Sequence, residues 1–143
     1  MSLFTRVVVA YDGSPGSQRA LMLAIRLASD QDATLLILSV AEHVPQFAGT
    51  VGEVDEHVRE QQSALRESQE RALRLAGEMG AAQAQAILEA GHAAQLIVAV
   101  AEREHTDLLV LGRSGHSEVW GRFMGSTADK VTRHATCSVL VAH

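Results

Sequence analysis

Short apolar runs recur along this chain, with room for one helix between each run and the next. "RVVVAYDG" is β-branched and closed by turn residues, which predicts a strand from Arg6 to Tyr11 buried on both faces. "ATLLILSVAE" repeats the pattern from Ala33 to Val40, "DLLVLG" repeats it up to Gly112, and "CSVLVA" gives a last strand from Cys137 to Ala142. "QAQAILEAG" alternates polar and apolar residues instead, which suits a strand at the edge of a sheet.

The intervening segments read as helices. In "SPGSQRALMLAIRLASDQ", Ser14 can cap the helix, Pro15 takes its first position, and Ala20, Ala24 and Leu27 share one face. From Glu53 to Met79 the chain is rich in Glu, Gln, Arg, Ala and Leu, with Glu67 and Arg71, and Glu70 and Arg74, at i,i+4, and it stops at Gly80. "HAAQLIVAVAEREH" is ambiguous, since Leu96 to Val100 also fits a strand; its length and its polar end, Glu102 to His105, favour a helix. "STADKVTRHA" puts Ala128, Val131 and Ala135 on one face, with Arg133 and His134 in the last turn, where they complement the helix dipole. "HVPQFAGTVG" breaks regular structure with Pro45, Gly49 and Gly52 and is expected to act as a lid.

Strands alternating with helices make βαβ units, so the expected fold is an open α/β sandwich, a parallel sheet with right-handed crossovers and helices on both faces. A chain of 143 residues suits one domain, 1–143, with a substantial core. The net charge of −5 and the scattered basic residues leave no footprint for nucleic acid or an anionic membrane. Cys137 is the single cysteine and sits in an apolar run, so it reads as a small core residue. The opening run is too short for a signal peptide and no later stretch approaches a membrane span, so a cytoplasmic location is expected.

Open α/β sheets bind ligands beyond the carboxyl ends of their strands, where strand order reverses. Two loops on that rim stand out, "YDGSPGS" and "GRSGHSEVWGRFMGS". The second runs from a strand into a helix, whose free N–H groups and positive dipole end suit a phosphate. Gly112, Gly115 and Gly125 would allow positive φ and close approach, Ser126 and Thr127 add hydroxyls, and Arg113, His116 and Arg122 add charge. Asp12 is an acceptor suited to sugar hydroxyls or a base amino group. Trp120 either covers the ligand or props up the loop. The Walker pattern fails, because Lys130, the sole lysine, lies inside the following helix, and no G-x-G-x-x-G follows the first strand.

Other candidates have plainer explanations. None of the seven histidines forms an HxxxH or HExxH pair within one helix, so they are read as surface residues. Glu56 with Glu60, and Asp30 with Asp32, are ordinary pairs for solvated faces. Ser14 is explained by capping, and neither it nor Ser17 sits in a G-x-S-x-G elbow.

The spacing Gly112, two residues, Gly115, nine residues, Gly125 and Ser126 matches the G-x2-G-x9-G-[ST] loop of the ATP-binding branch of the universal stress protein family. "VVVAYDGSPGSQRAL", "EAGHAAQLIVAVAE", "TDLLVLG" and "STADKVTRHATCSVLVA" resemble that family's blocks in the same order, over nearly the whole chain. The resemblance implies a Rossmann-like five-stranded parallel sheet in the order 3-2-1-4-5, of the adenine nucleotide alpha hydrolase-like type. It also implies a homodimer through the fifth strand, Cys137 to Ala142. Asp12 would meet the adenine or ribose end and the backbone near Val40 would border adenine; Gly112, Gly115, Gly125, Ser126 and Thr127 would hold ribose and phosphates, with Arg113 and His116 beside them. The implied cofactor is ATP, AMP or ADP, with Mg2+ allowed beside it. Ala93 or Ala94, and Cys137, stand where the family commonly has proline, departures that concern local turns.

A dimeric stress or signalling module that binds adenine nucleotide is therefore the preferred function. The alternatives are a slow ATPase or other ATP-using enzyme of the same superfamily, and a dimeric interaction protein that binds no nucleotide. A phospho-acceptor receiver domain fits less well, because Asp12 stands alone and the third strand ends in Glu89 and Gly91.

Overall fold

The computed structural model describes residues 2–42, 51–113 and 124–143, with the side chains of 51–55 left aside. The elements follow one another as β1 (Arg6–Ala10), α1 (Pro15–Gln31), β2 (Thr34–Ala41), α2 (Val51–Glu78), β3 (Ala84–Ala90), α3 (Ala93–Arg103), β4 (Leu108–Gly112), α4 (Ser126–His134) and β5 (Ser138–Ala142). The five strands form one sheet in the order β3-β2-β1-β4-β5, and every neighbouring pair is parallel. β1 and β4 are adjacent, with Val8 opposite Leu109, so the chain reverses its direction of growth between them. A right-handed crossover places helices on one face while strands are added leftwards and on the other once they are added rightwards. Accordingly α1 and α2 cover one face, and α3 and α4 the other.

The apolar strands supply both cores. Val7, Val9, Leu35, Ile37, Leu108 and Val110 point towards α1 and α2, while Val8, Leu38, Leu109 and Leu111 point towards α3 and α4. Successive residues of a strand face opposite ways, so a central strand with helices on both sides must be apolar throughout. On α1, Ala20, Ala24 and Ala28 form a fully buried stripe of small side chains that lets the helix lie close to the sheet. The ambiguous segment is helical: Ile97, Val100 and Ala101 are its buried residues, at the three- and four-residue spacing of one helix face. α2 begins at Val51 and so takes in Gly52 from the expected loop.

The amino-terminal edge of the sheet is fastened by Asp107. Its Oδ2 accepts from the Thr5 amide (2.8 Å) and the Thr5 hydroxyl (2.9 Å), and its Oδ1 from the Arg6 amide (3.0 Å), tying β4 to β1 across the switch. Burial alone would raise this carboxyl's pKa; the amides of Thr5 and Arg6 and the Thr5 hydroxyl outweigh it and hold the group below its ordinary value of 3.8. A carboxyl lowered on folding contributes stability above its unfolded pKa and loses it as pH falls through the folded one. Asp107→Ala is expected to cost roughly 1–3 kcal/mol at neutral pH. In urea titrations the gap from wild type should narrow between about pH 5 and pH 3. A gap independent of pH would show that the charge is not what these bonds use.

Candidate functional site

At the carboxyl ends of β1, β2 and β4 lies a cleft of about 450 Å³, within the range of small-molecule sites. Of the residues expected at the site, Asp12, Val40, Gly112 and Arg113 line it from the strand tips, and Gly125, Ser126 and Thr127 from the start of α4. The fold therefore brings together positions more than a hundred residues apart. Gly115 and His116 lie outside the described residues, as do Trp120, Gly121, Arg122 and the expected lid residues Pro45 and Gly49.

The β1–α1 loop is closed by its own hydrogen bonds. Gly13 has φ +84°, which lets the chain turn sharply after Asp12. Asp12 Oδ1 accepts from the Ser14 amide at 2.9 Å, and the Ser14 hydroxyl accepts from the Ser17 amide at 3.3 Å as the cap of α1. The Ser17 hydroxyl donates to the Ser14 carbonyl and accepts from the Asp12 amide. Ser14 and Ser17 are buried in this loop, which gives both a structural role.

α4 begins differently. Its cap is Gly125, which makes no side-chain capping bond, and the first bond into the helix runs from the Asp129 amide to the Gly125 carbonyl at 3.0 Å. The amides of Ser126, Thr127 and Ala128 precede that bond and have no intrahelical acceptor, and all three residues line the cleft. The start of α3 is also without a side-chain cap, but only Ala93 of its first turn reaches the cleft wall.

The backbone at Gly112 and Gly125 differs from the expectation. Gly112 is in the extended backbone of β4 and Gly125 has φ −59°, so the expectation of positive φ at these two positions is corrected. A β-carbon on Gly112 would lie 2.6 Å from the Gly16 carbonyl carbon and oxygen, so glycine there admits the first turn of α1. The Gly125 amide donates to the Arg113 carbonyl at 2.8 Å and the Arg113 amide to the Ala142 carbonyl at 3.0 Å. Those two donors are used within the fold, whereas the amides of the α4 first turn have no acceptor within the helix.

Charge is graded across the cleft. Asp12 and Glu42 bring carboxylates to the tips of β1 and β2; Arg113 and the positive end of α4 lie on the β4 side. Sequence reasoning missed Glu42, and also Gln61 and Leu65, which line the cleft from α2. A signal was present, since Gln61, Leu65, Gln69, Ala72 and Ala76 follow helical spacing on the face where the last four are buried. Gln69 bridges the sheet, its Nε2 donating to the Ile87 carbonyl at 2.7 Å and the Ile37 carbonyl at 3.4 Å.

His57, His92, His105, His134 and His143 are exposed, and no group of three or more metal-binding side chains occurs among the described residues. Cys137 is half-buried against the α3–α4 core, and burial, with the nearby charge of Asp107, pushes its thiol pKa up, which disfavours the reactive thiolate. No helix among the described residues is long and apolar enough to cross a membrane.

Comparison with known proteins bears on the whole chain. The family model described as "Universal stress protein family" matches residues 3–143. A universal stress protein of Thermus aquaticus is 34% identical over 143 residues, spanning 97% of this chain and 98% of its own. Among solved structures, universal stress protein UspA from Lactobacillus plantarum superposes with a TM-score of 0.91 at 22% identity and full coverage of both chains, a likeness of fold. A universal stress protein in complex with cAMP is 30% identical, with a TM-score of 0.70 and coverage of 99% of this chain and 98% of that one.

Proposed function

This chain belongs to the universal stress protein family, and from that premise we propose that it binds an adenine nucleotide, ATP or AMP, in the cleft between β1, β2 and β4. The observation that carries this reading is the cleft's polarity. Phosphates are drawn to the α4 first turn, where free amides, the helix dipole and Arg113 lie together. Asp12 and Glu42, which would repel phosphate, instead suit ribose hydroxyls and a base amino group at the opposite end. β2 and β4 flank β1, so their tips are about 9.5 Å apart, a span suited to a nucleoside. The bound cAMP of the 30%-identical relative supports the same class of ligand. Mg2+ would accompany a triphosphate through the phosphate oxygens and water.

The protein acts as a binding module whose contacts with partners respond to the nucleotide, and it forms a homodimer through β5, from Cys137 to Ala142. The position of β5 at the sheet edge supports the pairing, since the outer side of an edge strand offers N–H and C=O groups to a second copy.

Native mass spectrometry of the purified chain tests both parts. A dimer retaining adenine nucleotide is expected, with a melting temperature that rises when ATP is added. Protein that carries none, and whose melting temperature millimolar ATP leaves unchanged, overturns the nucleotide reading. A monomer at tens of micromolar overturns the pairing.

A further inference from the structure

We propose that Gln61 reads the base of the bound nucleotide, its side-chain oxygen accepting a hydrogen bond from the 6-amino group of adenine. This inference rests on the nucleotide reading above. Gln61 lines the cleft, and its Oε1 is buried without a hydrogen-bond donor among the described residues. An orphaned buried acceptor is costly, so a group left in that state calls for a partner from outside the fold.

Its height and flank follow from the helix that carries it. Gln69 on the same helix bonds the Ile37 carbonyl at the middle of β2. Gln61 lies eight residues nearer the helix start, about 12 Å along the axis, and the four residues from Ile37 to the end of β2 at Ala41 rise about 13 Å. Gln61 is thus level with the rim. α2 packs on β2 and β3, whereas α4 follows β4, so Gln61 and the anion-facing turn stand on opposite flanks of the cleft. A nucleotide with its phosphates at α4 extends its base towards Gln61.

Acceptors dominate that flank. The Gln61 oxygen and the Glu42 carboxylate both favour a ligand edge that donates. Adenine presents an amino group at position 6, whereas guanine and hypoxanthine present an oxygen there, which the Glu42 carboxylate would repel and which the Gln61 amide could meet only by turning round.

ATP and inosine triphosphate share ribose and phosphates and differ at position 6, so their relative affinity isolates this contact. Calorimetric titration of the wild type is expected to give ATP at least tenfold tighter binding. In Gln61→Leu, ATP should weaken about tenfold and the preference should narrow by a similar factor, with Glu42 accounting for what is left. Gln61→Glu, which keeps an acceptor, should retain the preference. The melting temperature of nucleotide-free Gln61→Leu should match or exceed that of wild type, because no bond within the protein is lost. The same ATP preference in Gln61→Leu as in wild type overturns the assignment while leaving the nucleotide site standing. Equal weakening of both ligands also overturns it, pointing to a ribose contact or to packing. If none of the proteins binds either nucleotide, the functional reading itself falls and takes this assignment with it.

Discussion

Gly112→Ala is expected to destabilise the protein by roughly 3 kcal/mol, at the upper end of overpacking costs. The added carbon would lie 2.6 Å from the carbonyl carbon and oxygen of Gly16 and 3.0 Å from the Ser17 amide nitrogen. These are main-chain atoms of the first turn of α1, and Ser14 and Asp12 hold that turn in place through the cap and the loop bond. No side chain can swing aside, so the start of the helix must retreat from β4, although Ala20 and Ala24 sit at 0% exposure a turn or two further along. For a chain of this size the melting temperature should drop by on the order of 10 °C. Nucleotide binding should weaken with it, since Ser14 and Ser17 form part of the cleft wall. Gly77→Ala is the control: nothing lies within 4 Å of its added carbon, and alanine in a helix should be neutral or stabilising by up to about 1 kcal/mol. Thermal and urea unfolding of the two variants measures the difference. Equal stability of Gly112→Ala and wild type would mean that β4 and α1 do not approach so closely.

That glycine marks where local reading of the chain stops. Strand and helix alternation was legible because each element carries its own period, and the cap at Ser14 and the stop at Gly80 are local chemistry. The α3 segment was settled by what surrounds it: a parallel crossover from β3 to β4 needs a helix, and the burial of Ile97, Val100 and Ala101 follows from that. The strand order came from resemblance to a family, since periodicity within a strand says nothing about its neighbours. Spacing singled out Gly112 and Gly125 but could not show what each approaches. One makes room for α1, and the other, at φ −59°, begins a helix with an ordinary backbone. Gln61 escaped notice for the same reason: a glutamine on an amphipathic helix reads as surface until the fold sets it beside the tip of β2. Among the described residues, positive φ occurs at Gly13, Gly80 and Gly91, and at Asp32 and His105, rather than at Gly112 or Gly125.

Ser126→Pro should weaken nucleotide binding tenfold to a hundredfold and leave the fold nearly untouched. Ser126 is the first residue of α4, where proline is best tolerated because the amide it removes has no acceptor within the helix. The residue before a proline must be extended, and Gly125 already has φ −59° and ψ 158°. Ser126 is also exposed, so the change should cost within about 0.5 kcal/mol of stability. The loss to the ligand is larger, because a hydrogen bond to a charged group contributes about 1.5–3 kcal/mol, which is one to two orders of magnitude in Kd. Ser126→Ala separates the two donors, since it keeps the amide and removes only the hydroxyl; a smaller loss there than in the proline variant assigns the effect to the main chain. Fluorescent ATP titrated against the three proteins gives the comparison, with melting curves as the check on folding. Wild-type affinity in Ser126→Pro would show that the anion does not use the Ser126 amide, leaving those of Thr127 and Ala128 to hold it.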